Sequence, residues 1–190
     1  FLPEALLNFL ALLGWNPGTT QEIFTIEELI DQFTLERVQK AGAVFDEEKL
    51  MWLQGQWMRK LPLSEFTDRI RHLVPQSGED SSFEAKAALI QERVTFFHEA
   101  PEMLKFFYEQ PTASMELIAS EKQKVTKELV PDILKKLEEL LTGISDAEWK
   151  RESILATVKG SLGDTWKLGQ LLWPLRSILT GLQYSPGAGE

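Results

Sequence analysis

The stretch K167-LGQLLWPLRSILTGLQYSP-G187, Lys167 to Gly187, decides the fold. It is an apolar helical run with a proline inside it. Pro174 has no backbone N–H, so it removes one helical hydrogen bond and loosens or kinks the preceding turn. Arg176 follows two residues later and can project near that disturbed turn. Gly181 ends the run, and Ser185-Pro186-Gly187 is turn punctuation. Two readings fit these residues. One is a core helix with a kink and a snorkelling arginine. The other is a helix that presents one guanidinium to a planar polar ligand.

Working outward, the rest of the chain is also helical punctuation and helical stripes. Pro3 opens a helix at a position where its missing donor does no harm. Leu6, Leu7, Phe9, Leu10, Leu12 and Leu13 make that helix apolar nearly all round, which predicts burial on most sides. Gly14-Trp15-Asn16-Pro17-Gly18 stops it. Thr25 and Glu28 have the spacing of a capping box. Thr34 is placed to cap a short turn. Asp46 caps a helix to about Arg59, with Leu50, Leu53, Trp57 and Met58 as its stripe. Leu61-Pro62-Leu63-Ser64 is a break, with Ser64 capping the next helix. Ser81 and Glu84 predict the start of a long helix to about Glu99. Ser145 and Glu148 predict a third capping box, with Trp149, Ile154, Leu155 and Val158 inside. Pro101, Pro111 and Pro131 punctuate the middle, and no strand pattern competes.

Composition limits the function. The chain has 190 residues, 43% of them hydrophobic, and no cysteine, which excludes disulfides and thiolate zinc sites. The two histidines, His72 and His98, are far apart and read as surface or satisfied residues, not metal ligands. No apolar run reaches the roughly 20 residues of a membrane span, and no secretory signal is visible. The chain opens at Phe1 inside a helical pattern and reads as a piece of a longer protein. The net charge of −9 argues by itself against a nucleic-acid partner. Such a partner requires the cations to cluster on one face, or another part of the protein to supply phosphate contacts. Gly-rich phosphate loops and nucleophile elbows are absent.

KLGQLLWPLRSILTG resembles the K-x-G-x-L-x-x-P-L-R-x-A-L-T-G segment near the C-terminus of bacterial glutamyl-tRNA synthetases, which are class I aminoacyl-tRNA synthetases. FLPEALLNFLALLGWNPG, Phe1 to Gly18, resembles the segment after that family's lysine-rich ATP-site loop. Leu50-Met-Trp52-Leu-Gln54-Gly55-Gln-Trp57-Met-Arg59 resembles its L-x-W-L-N-G-x-Y-I-R signature, with Gln54 for Asn and Trp57 for Tyr. The resemblance covers essentially the whole chain in order. It implies an all-α chain, an elongated helical bundle or cage of two to three packed subdomains. Residues 1–62 would be a stem-contact-like subdomain, 63–131 a first anticodon-binding subdomain, and 132–190 a second, C-terminally truncated one.

The same resemblance implies the site. Arg176 would contact the first anticodon base. Arg93, by its spacing before Ala100-Pro101, would read the third. Ser185 and Pro186 belong to the S-P-G turn that packs against splayed bases, where Gly189 replaces the usual aromatic. Trp52, Gln54 and Arg59 would face the tRNA stem, and Lys159 and Lys167 its phosphates. Read from the residues alone, Trp52 and Trp57 also suit a core, Arg59 also suits a helix C-terminus, and Arg93 also suits a solvated helix face. The implied partners are tRNA(Glu) and an upstream catalytic domain of the same protein, with no DNA and no membrane. This chain would hold no cofactor and no catalytic residue. ATP, with Mg, would act in the catalytic domain of a cytoplasmic glutamate–tRNA ligase. A stand-alone helical protein–protein interaction module is the competing reading, and it suits the acidic charge.

Overall fold

The computed structural model describes residues 1–40, 42–163 and 165–190. The chain is all-α. The helices are α1 (Pro3–Gly14), α2 (Ile26–Gln32), α3 (Glu47–Lys60), α4 (Leu63–Arg71), α5 (Phe83–Gln91), α6 (Ala100–Leu104), α7 (Met115–Ile118), α8 (Val130–Thr142), α9 (Arg151–Gly160) and α10 (Leu168–Thr180). Among the described residues there is no strand, only isolated antiparallel bridges at Trp15–Val38 and Ser120–Val125. The chain divides into two compact units, Phe1–Pro101 and Glu102–Glu190.

In the first unit α1 packs on α3. Phe9, Leu50 and Leu53 close one cluster, while Trp15, Phe24 and Leu29 close a second. Asn8 is fully buried and joins three segments. Its Nδ2 donates to the Glu22 carbonyl, and its Oδ1 accepts from Phe24 N and from Trp57 Nε1. The Thr25 capping box forms in full: Thr25 Oγ1 accepts from Glu28 N, and Glu28 accepts from Thr25 N. Asp46 caps α3 by accepting from Lys49 N at 3.0 Å. On the outer side of α1, Leu6, Leu7 and Leu10 remain exposed. Full burial within α1 is therefore confined to Ala5, Asn8 and Phe9, although α2 as well as α3 packs on the helix.

The chain turns at Pro62 within this unit. Gln91, at the end of α5, donates from Nε2 to the carbonyls of Met58 (3.1 Å) and Leu61 (2.8 Å), binding α5 to the end of α3. Phe66, Ile70, Phe83, Ala87 and Ile90 fill the space between α4 and α5. α4 starts at Leu63 with Pro62 at its cap position, so Ser64 lies inside the first turn. α5 stops at Gln91, not Glu99. Val94 and Thr95 are β-branched and poor helix continuers. Thr95 then begins a new turn, its N–H bonded to Glu99 Oε2 at 2.7 Å.

In the second unit α10 packs on α7, α8 and α9. The core is Ile118, Val125, Val130, Ile133, Leu137, Val158 and Leu171. Pro131 sits in the first turn of α8, where its missing N–H costs no helical hydrogen bond. α9 starts at Arg151. Ser145 Oγ lies 3.2 Å from the Glu148 carboxylate, side chain to side chain, and the predicted capping box does not form. Trp149 is consequently exposed instead of internal.

Candidate nucleic-acid interface

α10 runs through Pro174 without ending, because its neighbours hold it in place. Trp173 Nε1 and Ser177 Oγ both donate to the Leu117 carbonyl, at 3.3 and 3.4 Å. Gln170 Nε2 donates to the carbonyl of Lys124, a residue with a left-handed φ of 57°. Gly181 ends the helix with φ 67°. A Cβ there would come within 3.1 Å of the Thr112 carbonyl, so both conformation and space call for glycine.

Arg176 lies over the face of Trp173, with its Cζ 4.2 Å from the ring centroid. The two residues are three apart on one helix, which makes them surface neighbours. Arg176 Nη2 donates to the Gln183 carbonyl at 3.0 Å. Its Nε–H is shielded from water and meets no acceptor among the described residues. Burial lowers the guanidinium below its ordinary value, yet it stays a cation. The result is a planar donor held flat, partly desolvated, with one N–H unused.

Beside Arg176 lies a groove of about 370 Å³, lined among others by Trp173, Arg151, Gly187, Ala188, Gly189 and Glu190. Ser185 and Pro186 are buried beneath this turn. Ser185 Oγ donates to the Pro186 carbonyl and lies 3.2 Å from Thr180 Oγ1, which itself donates to the Arg176 carbonyl. They fix the turn from below, and Gly187 to Gly189 form its outer surface. A Cβ on Gly189 would fall 2.7 Å from Leu155 Cδ2, so this turn lies directly on α9. The exposed Lys167 caps α10 through its N–H, which donates to Gln170 Oε1, and Lys159 is exposed in the last turn of α9.

In the first unit, Arg93 is exposed in the turn just past α5, and its Nη1 donates to the Leu89 carbonyl at 2.6 Å. Arg59 Nε donates to the Glu92 carbonyl at 3.0 Å, so the structure brings Arg59 to the same turn as Arg93. Trp52 is 39% exposed, with Lys49 Nζ 4.3 Å from its ring centroid. Gln54 is a correction: it is 1% exposed and has no surface to offer a stem. Its Oε1 accepts from Leu2 N at 2.8 Å and its Nε2 donates to the Thr95 carbonyl at 3.0 Å. Sequence reasoning missed Trp173 as the platform for Arg176, although the three-residue spacing was available to find it. No cluster of metal-ligating side chains occurs among the described residues.

The anticodon binding domain family matches residues 51–190. The chain belongs to the anticodon-binding domain family. Residues 1–52 of this anticodon-binding chain match a second family, the catalytic domain of class I tRNA synthetases (E and Q). The chain is 37% identical to a glutamate–tRNA ligase of Clostridium acetobutylicum and 34% identical to one of Clostridium botulinum, covering 98% of this chain each time. It spans 39% of the length of these relatives. A crystal structure of an Elizabethkingia meningosepticum glutamate tRNA ligase in complex with its amino acid superposes with a TM-score of 0.75 at 27% identity. That likeness covers all of this chain and 37% of the other. A glutamate-tRNA synthetase of Elizabethkingia anophelis superposes with a TM-score of 0.74. An RNA-binding region is favoured by these likenesses over a stand-alone protein-interaction module.

Proposed function

We propose that this chain is the tRNA-binding, anticodon-recognising region of a glutamate–tRNA ligase. The observation that carries the proposal is Arg176: a guanidinium laid on Trp173 beside a groove, with a buried N–H that has no acceptor among the described residues. An unstacked base offers the acceptors and the flat face that such a group needs. Arg93 reads the third anticodon base. A guanidinium donates to cytosine O2 and N3, whereas guanine would present donors at that edge. Ser185 and Pro186 act by holding the turn under the groove. Lys159 and Lys167 contact phosphates without reading sequence, and Trp52 and Arg59 lie towards the stem.

The whole ligase, in this reading, attaches glutamate to tRNA(Glu) in the cytoplasm. ATP and Mg act in the catalytic domain, which is this region's partner within the same protein. The anticodon-binding region supplies positioning and specificity, not bond chemistry.

The test is a low-salt titration with two anticodon stem-loops, one carrying a glutamate anticodon and one differing in its third base to a glutamine anticodon. The wild-type chain binds the glutamate loop more tightly, and Arg93→Gln brings the two affinities together, a loss of about 1–3 kcal/mol of discrimination. Equal selectivity of wild type and variant removes the role of Arg93, and an absence of binding to either loop removes the RNA reading itself.

A further inference from the structure

Arg151 is the first residue of α9, following Lys150 at the cap position. A helix N-terminus carries a partial positive charge and favours anions there. Placing Lys150 and Arg151 at that end goes against the rule, with Glu152 as the acid in the first turn. The Lys150 side chain makes no cap hydrogen bond, so among the described residues no N-cap side chain satisfies the first N–H groups. Arg151 forms no ion pair with another described residue. A local rule broken without structural return is a mark of function. Arg151 also lines the groove that holds Arg176 and Trp173. Glu190, a carboxylate of that groove, accepts from Gly187 N at 2.7 Å within its own turn.

We propose that Arg151 is a second RNA contact of this groove, a sequence-blind clamp on a phosphate of the nucleotide whose base meets Arg176. The inference rests on the tRNA-binding reading above. The two arginines differ in the way that separates positioning from reading. Arg176 is partly desolvated and fixed on an aromatic face, which suits a base edge. Arg151 is exposed and stands at a helix start with no side-chain cap among the described residues, which suits a phosphate. Arg151 and Arg176 line one groove of about 370 Å³, a volume within the range of single-ligand sites.

The experiment titrates the chain with the glutamate and glutamine anticodon loops over a range of salt, using wild type, Arg151→Gln and Arg151→Lys. Arg151→Gln weakens both loops equally. It lowers the slope of log affinity against log salt by about 0.7, which is about fivefold in affinity at 0.1 M salt. Arg151→Lys restores most of the loss, because a point charge serves a phosphate. Thermal unfolding of Arg151→Gln occurs at or above the wild-type temperature, since a cation leaves a helix N-terminus. Unchanged affinity and slope overturn the proposal and leave the tRNA reading intact. A change in preference between the loops overturns it by making Arg151 a base reader. A parallel drop in unfolding temperature overturns it by making the role structural. Failure of the wild type to bind either loop overturns both readings together.

Discussion

A buried side-chain amide with both ends bonded is harder to replace than its two hydrogen bonds suggest. Gln54 holds the Leu2 N–H and the Thr95 carbonyl from the middle of α3, and it is almost fully buried. Gln54→Leu matches its volume but leaves that donor and that acceptor without partners in the core. Each orphaned group costs about 1–3 kcal/mol, so Gln54→Leu lowers unfolding free energy by about 2–4 kcal/mol in a urea titration. The slope of RNA affinity against salt, measured below the transition, stays at the wild-type value because no phosphate contact is lost. A stable variant with a reduced salt slope would return Gln54 to the stem-facing surface. Trp52 is the contrasting neighbour: it keeps an exposed ring, stacked by Lys49, where a ligand can reach it.

At the scale of elements, Gln91 ties α5 to the end of α3. Its Nε2 satisfies the carbonyls of Met58 and Leu61, the end of a helix whose last carbonyls otherwise lack partners. Gln91→Leu removes both bonds while keeping a side chain of similar size buried there. Amide hydrogen exchange at α4 and α5 then speeds up by about tenfold, as expected for about 1.4 kcal/mol of local stability, while α8 and α10 keep wild-type rates. Uniform acceleration in all helices would show that Gln91 has no local role. The same residues explain what was legible in sequence. The Thr25 and Asp46 caps were readable because each is satisfied within three residues of itself. The length of α5 was not, because the chain leaves the helix to place the Thr95 carbonyl against Gln54, 41 positions away. Ser145 carried a capping signal that its local backbone does not use. Arg176 was legible as a presented guanidinium, whereas the buried state of Ser185 and Pro186 depends on Thr180 and the packing of the turn.

For the whole molecule, charge is the property that most constrains an RNA-binding reading. With 29 acidic and 20 basic residues, the net charge is −9, and the long-range field repels a polyanion. At 0.1 M salt that field is screened beyond about 10 Å, so binding is decided by what the surface does at close range. Arg176 on Trp173 offers a flat face and donors suited to a base, whose face and edge a duplex buries and an open loop exposes. In the proposed reading, discrimination against generic RNA follows from the acidic body together with the groove. In a competition at 0.1 M salt, a hundredfold nucleotide excess of base-paired RNA leaves the complex with a glutamate anticodon loop largely intact. An excess of the same loop displaces it. Displacement by duplex RNA, mole for mole, would mean that attraction to phosphate alone carries the binding. A net-acidic chain binding in that way would need its cations gathered into one continuous patch, and the groove at Arg176 would then have no part in selecting the partner.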